Sequence, residues 1–335
     1  MRAETVRDET MSKTIRRLSI GLVLCLIPHV SSLIPLLSAK GPGTDSAQYL
    51  KLGTGARPIA MGEAFVAVAD DSNAVLWNTG GLGFLKQKEF TAMHMEYLEN
   101  IRLSGLSYVH PTHMWGTFAA NFSYLYTNSI ERTVLRNDIP EGFEKKGSFG
   151  VSAKTAILTY GRVVSGGKDN ETKTLGVGMG ARFIQETLDS YNATAFAVDF
   201  GALYKYSHRI RFGLTLQNLG SRLKFVRENE SLPLVLRAGV GGTEFKDRFN
   251  YSLELYSPRD SGIEIHSGAE FWILKLLAPR VGWRFRNIYR DNTLNTISAI
   301  TGGIGLRLFN YQVDYGFVPF GEVGNTHRIS ITGRF

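Results

Sequence analysis

From Lys88 to Phe335, apolar and polar residues alternate with period two, and after residue 39 no apolar run is long enough to cross a membrane as a helix. In 115–126, Phe118, Ala120, Phe122, Tyr124 and Tyr126 share one face, with Thr117, Ala119, Asn121 and Ser123 on the other. In 249–255, Phe249, Tyr251, Leu253 and Leu255 oppose Asn250, Ser252 and Glu254. The pattern predicts fourteen strands, at 88–97, 101–109, 115–126, 149–160, 174–187, 195–206, 209–218, 234–245, 248–257, 263–273, 277–286, 298–308, 310–318 and 326–335. Soluble strands average about five or six residues, whereas tilted strands that cross a bilayer need about nine to eleven. An even count of long strands points to an all-β fold, a 14-stranded antiparallel transmembrane β-barrel, in preference to a large soluble β-sandwich.

The gaps and faces carry a second signal. If the first strand starts at the periplasm, the outer gaps are 98–100, 127–148, 188–194, 219–233, 258–262, 287–297 and 319–325. The inner ones, 110–114, 161–173, 207–208, 246–247, 274–276 and 309, are mostly shorter, as bacterial barrels require; 98–100 and 161–173 run against the trend. Tyr97, Tyr124, Tyr126, Tyr204, Tyr206, Trp272 and Trp283 lie near strand ends and suit interfacial girdles. The polar faces carry Arg182, Asp199, Lys205, Arg211, Arg237, Glu254, Glu264, Glu270, Arg284, Arg286, Arg307, Asp314 and Arg328. Charges of both signs can pair across a lumen, but on a lipid face each costs up to about 2–4 kcal/mol at mid-depth. They are therefore expected to line the lumen.

The first 39 residues read as a secretory signal peptide: a basic start (Lys13, Arg16 and Arg17, with Met11 an alternative first residue), an apolar run from Leu18 to Ile27, and a Leu37-Ser38-Ala39 cleavage site. Pro28 and the Ser31-Ser32 pair argue against a permanent anchor. Cys25 is the only cysteine, and Leu24 before it does not suit a lipoprotein site. The mature chain therefore offers no disulfide, thiolate nucleophile or cysteine metal ligand. A net charge of +8, thinly spread, gives no case for nucleic acid.

Residues 40–87 separate leader and barrel, and are dense in small residues. Gly53-Thr54-Gly55 lacks the lysine and hydroxyl of a phosphate loop. Short helical turns are expected at Tyr49–Leu52 and Ser72–Trp77, a strand or buried run at Ala64–Asp70, and a turn at Asn78-Thr79-Gly80-Gly81. A backbone this rich in small residues can be buried inside a barrel as a hatch or plug, away from lipid. Its candidate hatch or docking residues are Gly53, Gly55, Arg57, Pro58, Met61, Gly62, Asp70, Asp71, Asn78, Gly80 and Gly81. The resulting division is leader 1–39, hatch 40–87 and barrel 88–335.

No catalytic constellation emerges, and no cofactor or metal is called for. Pro111 breaks the His110/His113 pair. Asp314, His327 and Ser330 make no triad, because His327 falls on the opposite face.

The stretch AQYLKLGTGARPIAMGEAFVAVADDSNAVLWNTGGLG at 47–83 resembles the opening of the PorV/PorQ family of outer-membrane proteins, within the wider FadL-like group of long-chain fatty acid transporters. The usual Asn-Pro-Ala-Gly-Leu turn stands here as Asn78-Thr79-Gly80-Gly81-Leu82. Later pieces also match: LQNLG at 216–220, LPLVLRAGV at 232–240, and 313–335, whose terminal Phe335 suits the insertion signal of the barrel-assembly machinery. The resemblance implies a fourteen-stranded barrel with a hatch, in contact with outer-membrane lipid. The leading functional expectation is a component like that of the type IX secretion system, docking secreted proteins with C-terminal signal domains or other secretion partners. The alternative is passive transport of a fatty acid or other hydrophobic ligand. A purely structural role stands third.

Overall fold

The computed structural model describes residues 43–335 except 128, 137, 139–141, 166–171, 226–227, 287–299 and 321–323. The leader lies outside the described residues. In chain order the strands are β1 (Glu89–Glu96), β2 (Arg102–Thr112), β3 (Gly116–Tyr126), β4 (Ile130–Leu135), β5 (Phe143–Phe149), β6 (Val151–Ser165), β7 (Thr174–Leu188), β8 (Tyr191–Lys205), β9 (Ile210–Gly220), β10 (Arg222–Phe225), β11 (Glu228–Ser231), β12 (Val235–Glu244), β13 (Phe249–Pro258), β14 (Glu264–Phe271), β15 (Leu277–Arg286), β16 (Ile300–Leu308), β17 (Tyr311–Pro319) and β18 (Asn325–Arg334). Fourteen of them close into one antiparallel barrel, ordered β1-β18-β17-β16-β15-β14-β13-β12-β9-β8-β7-β6-β3-β2. The seam is β1 against β18, with Glu89 opposite Arg334 and Glu96 opposite His327. The other four strands form two hairpins, β4–β5 and β10–β11, within gaps that the sequence leaves as outer loops.

The barrel strands turn their apolar faces outward. Phe122, Leu158, Phe196, Leu214, Leu253, Val281 and Ile329 are exposed, while Asn121, Thr155, Asp199, Thr215, Glu254, Gly282 and Arg328 between them are buried. Such an outer surface belongs in lipid rather than water. Trp272 departs from the girdle expected for it. It points inward and is buried, with its Nε1 donating to Glu270 Oε1 at 2.9 Å, because the alternation continues one residue past the strand end and sets Trp272 on the inward face of Glu264, His266, Gly268 and Glu270.

Residues 53–85 fill the barrel. They make no strand: 64–69 is buried but irregular and Asp70 after it is exposed, with short helical turns at Ala56–Ala60, Ala74–Trp77 and Thr79–Phe84 on either side. Phe65, Ile59, Met61 and Leu82 are fully buried and form its apolar centre with Val68, Val75 and Trp77. A segment without ladder partners must find hydrogen bonds elsewhere. The wall supplies them. Glu254 accepts from the Phe65 and Val66 amides at 2.9 and 2.8 Å, Ser330 from the Ala56 amide at 2.9 Å, and Thr301 from the Gly62 amide at 3.0 Å.

The fit is close enough to need glycine on both sides. Gly62 has φ +66, and a Cβ there would stand 2.7 Å from the Trp283 amide nitrogen. A Cβ on Gly282, opposite, would fall on the Gly62 backbone. Gly282→Ala is therefore expected to unseat the hatch at a cost of about 1–3 kcal/mol. The measurement is protease access to 53–85 in a barrel that still shows heat-modifiable gel mobility; unchanged protection would refute the close fit.

Candidate functional site

The candidate site is the hatch and the spaces above and below it. The Ala56–Ala60 turn begins after Gly55, at φ 84, and carries Arg57 and Pro58 fully into the interior. Arg57 meets Glu270 of β14 through two parallel bonds, Nε to Oε2 and Nη2 to Oε1, both 2.9 Å. Its Nη1 reaches Asp70 Oδ1 at 2.6 Å and Asp71 Oδ2 at 2.7 Å. The other Asp71 oxygen accepts from the Asn73 backbone and side chain at 2.9 and 2.8 Å. The adjacent aspartates thus divide their work: Asp71 ties the turn, while Asp70 looks into the lower space and lies 3.7 Å from Arg211.

The network continues in the wall. Arg280 donates to Glu270 at 2.6 Å and to Asp314 at 2.7 Å. Arg237 pairs with Glu254 at 2.6 Å, and Arg182 with Asp199 at 2.6 Å. Arg284 reaches across to Glu63 of the hatch at 2.6 Å. Arg328 is buried and donates to Thr326 at 3.0 Å, and Lys205 lies 4.0 Å over the Phe84 ring. Glu264 contacts His266 at 3.2 Å. Arg307 stacks on Trp272. Arg286 is placed by its backbone alone, opposite Glu264.

Among the small residues, Gly53 lies against Ile59, and Met61 presses its carbonyl toward Gly268. A Cβ on Gly81 would collide with the Ala69 carbonyl, and one on Gly80 would stand 2.8 Å from wall backbone at Ala202. Asn78 caps the next turn by accepting from the Gly80 amide at 3.0 Å, and donates to the Val66 and Ala202 carbonyls at 2.7 and 2.9 Å.

Sequence reasoning passed over Arg280, Glu63, Asp45, Arg259 and Asp260. Arg280 shares the inward period of Gly282 and Arg284, so its signal was present. Asp260 and Arg259 lie in an outer loop, where alternation gives no guide. There they clamp the start of the hatch: Asp45 to Arg259 at 2.6 Å, and Lys51 and Gln48 to Asp260, both at 2.8 Å. The Tyr49 hydroxyl, pushed up to about 12 by burial, shares a 2.8 Å hydrogen bond with Thr155. The LQNLG stretch gains a reason too. Asn218, at φ 62, forms a bulge opposite Asp199, which accepts its amide at 2.7 Å, and Gln217 reaches the Leu76 carbonyl at 2.7 Å.

The spaces are unequal. Above the hatch, Tyr49, Leu52, Trp77, Arg182, Gln217 and Arg237 border only about 60 Å³. Below it, at the end where β1 starts and β18 finishes, lies a polar cavity of about 960 Å³. On the outside of the wall, Leu106, Phe122, Leu158, Phe183, Phe196 and Leu219 surround an apolar hollow of about 820 Å³ at the small side chains Ala120, Ala156 and Ala181. Among the described residues, no three His, Cys, Asp or Glu side chains are grouped to hold a metal.

Two outcomes follow from this wiring. Arg57→Met leaves Glu270, Asp70 and Asp71 without their shared cation, at a cost of about 3–5 kcal/mol. It is expected to loosen the hatch and raise single-channel conductance in planar bilayers; conductance equal to wild type would count against Arg57 as the hatch anchor. The second concerns acid. Burial works against the Asp260 carboxylate, but hydrogen bonds from Lys51 and Gln48 and the Lys51 charge hold it below the ordinary aspartate range. Its clamp is therefore intact above about pH 4 and is lost as pH falls through the lowered value. Pepsin should begin to cut 45–52 only in that acid window, and Asp260→Asn should abolish the step. Identical pH profiles for the two proteins would show that Asp260 does not hold the segment.

The family described as "Uncharacterised protein family (UPF0164)" matches residues 28–183, a span that takes in 53–85 and ends within β7. No curated protein matches the sequence. The Pseudomonas putida toluene transporter TodX is similar in structure at 12% identity and TM-score 0.58, over 84% of this chain and 96% of that one. The Ralstonia pickettii toluene transporter TbuX is similar at 12% identity and TM-score 0.54, over 84% and 98%. The monoaromatic hydrocarbon channel CymD is similar at 13% identity and TM-score 0.54, over 85% and 98%. At such identities the likeness establishes a shared fold: the chain is a fourteen-stranded antiparallel barrel, filled by residues 53–85, with the fold of these channels.

Proposed function

We infer that the protein is an outer-membrane channel for hydrophobic small molecules, gated by its hatch. The observation that carries this reading is the filled lumen. About 60 Å³ above and about 960 Å³ below are separated by packed residues such as Met61, Phe65 and Val68. Such a lumen offers hydrated solutes no open path, so passage requires the hatch to shift. The apolar outer hollow gives a greasy solute a place to rest against the wall. The barrel's apolar outer surface supports an outer-membrane location and contact with its lipid. TodX and TbuX, which share the fold, are toluene transporters. Sequence alone puts cargo docking first; the filled lumen and these neighbours put transport first, and no feature of the described surface speaks for secreted cargo.

The test is uptake of radiolabelled toluene and oleate by a Gram-negative host lacking its own hydrophobic channels. Expression should raise the uptake of at least one several-fold over empty vector; equal uptake of both would sink the transport reading. A second arm tests the hatch. A Cβ on Gly241 would stand 3.2 Å from the Ala67 Cβ, a few tenths short of disulfide geometry. With Ala67→Cys and Gly241→Cys joined, uptake should fall to background and return on reduction. Full uptake in the oxidised form would leave a channel whose hatch does not move at Ala67.

A further inference from the structure

The cavity below the hatch holds a feature that passage of an uncharged solute does not need. Two guanidinium groups converge there on one neutral oxygen. Arg307 of β16 donates its Nε at 3.1 Å and its Nη2 at 2.8 Å to Gln312 Oε1. Arg334 of β18 donates its Nη1 to the same oxygen at 3.1 Å. The Gln312 amide nitrogen donates to both oxygens of Asp314, each at 2.9 Å, so the orientation of the amide is fixed.

Both arginines are held in place. The Arg307 guanidinium lies 4.2 Å over the Trp272 ring, and Trp272 is itself tied to Glu270. Arg334 is held by Glu89 at 3.0 Å. Arg307 has no carboxylate within 4.0 Å among the described residues. Its Nη1, and Nη2 of Arg334, donate to nothing among the described residues. Two like charges brought to one oxygen repel, and only one of them has a counter-charge. An oxyanion set between the free Nη groups would relieve this with charge-assisted hydrogen bonds. Lys205 and Arg211 border the same cavity and reinforce the positive field, while Phe84 and Leu85 give it an apolar side.

We propose that Arg307 and Arg334 form a binding site for an oxyanion headgroup, phosphate or carboxylate, in the cavity beneath the hatch. The site stands on this geometry alone and does not require that anything cross the barrel.

The experiment uses the full mature protein in nanodiscs of zwitterionic lipid at neutral pH. Inorganic phosphate, hexyl phosphate and hexanol are titrated separately, with tryptophan fluorescence and thermal unfolding as readouts. At least one of the two phosphates should give a saturable response, weakened about tenfold in Arg307→Gln and in Arg334→Gln and partly restored in Arg307→Lys. Added salt should weaken it, and hexanol should give no Arg307-dependent response. Inorganic phosphate binding as tightly as hexyl phosphate would identify a free anion as the occupant. Tighter binding of hexyl phosphate would identify the headgroup of an amphiphile. Both sustain the site. No saturable response to either phosphate, or an unchanged affinity in a variant that keeps heat-modifiable mobility, would overturn it.

Discussion

A guanidinium carried by the hatch, Arg57, meets a carboxylate fixed in the wall, Glu270, through two bonds of 2.9 Å. Glu270 also accepts from Arg280, Trp272 and Asn250. One buried anion thus joins the hatch to three places on the wall. An ion pair of this kind gains little over a well-packed apolar contact, because both charges have left water. What it supplies is placement. An apolar plug of alanine and valine can slide or rotate with little penalty, whereas moving Arg57 breaks its two-bond ion pair with Glu270, the contact that ties the hatch to the wall. The same logic holds at Glu63 with Arg284 and at Glu254, which pairs with Arg237 while capping two hatch amides.

Small residues make that placement attainable. The hatch backbone runs so close to the wall that side chains are excluded where the two meet, as between Gly62 and Gly282 and between Val66 and Gly213. Close approach lets single wall side chains such as Thr301 and Ser330 satisfy backbone groups that would otherwise be buried unpaired. Glycine and charge therefore serve one requirement from two sides: an irregular segment can be buried only when its backbone polar groups find partners.

The barrel was legible because its two faces meet different solvents. Lipid outside and a packed polar interior impose period two over 250 residues, and the tilt across a bilayer sets strand length. The expected fourteen strands agree with the observed ones to within a few residues at most ends. The hairpins β4–β5 and β10–β11 were not legible, since outer loops answer to neither solvent rule. Partner identity was not legible either. That Arg237 meets Glu254 follows from adjacent strands, but that Glu63 meets Arg284, or Lys51 meets Asp260, depends on how the hatch threads the barrel, which alternation does not encode. Trp272 shows which signal governs a single residue: nearness to a strand end suggests a girdle, but the alternation of β14 runs on past Phe271 and sets the ring inward.

The path of the hatch also explains why its two ends differ. It begins among the outer loops, where Asp45 and Lys51 are tied to Arg259 and Asp260, and finishes on the opposite side at Leu85, just before β1. Its upper part is sealed by Tyr49, Leu52 and Trp77 with little space left, while its lower part overhangs a cavity rich in arginine and lysine. A solute moving inward would first have to break polar ties at the outer clamp, and would then leave apolar packing for a charged chamber. For an uncharged greasy solute the second step is unfavourable, and the apolar hollow on the wall is a better neighbour. For a solute with an anionic head the same chamber is favourable. The polarity of the two ends thus bears on which molecules can leave the hatch downward, independently of how the hatch opens.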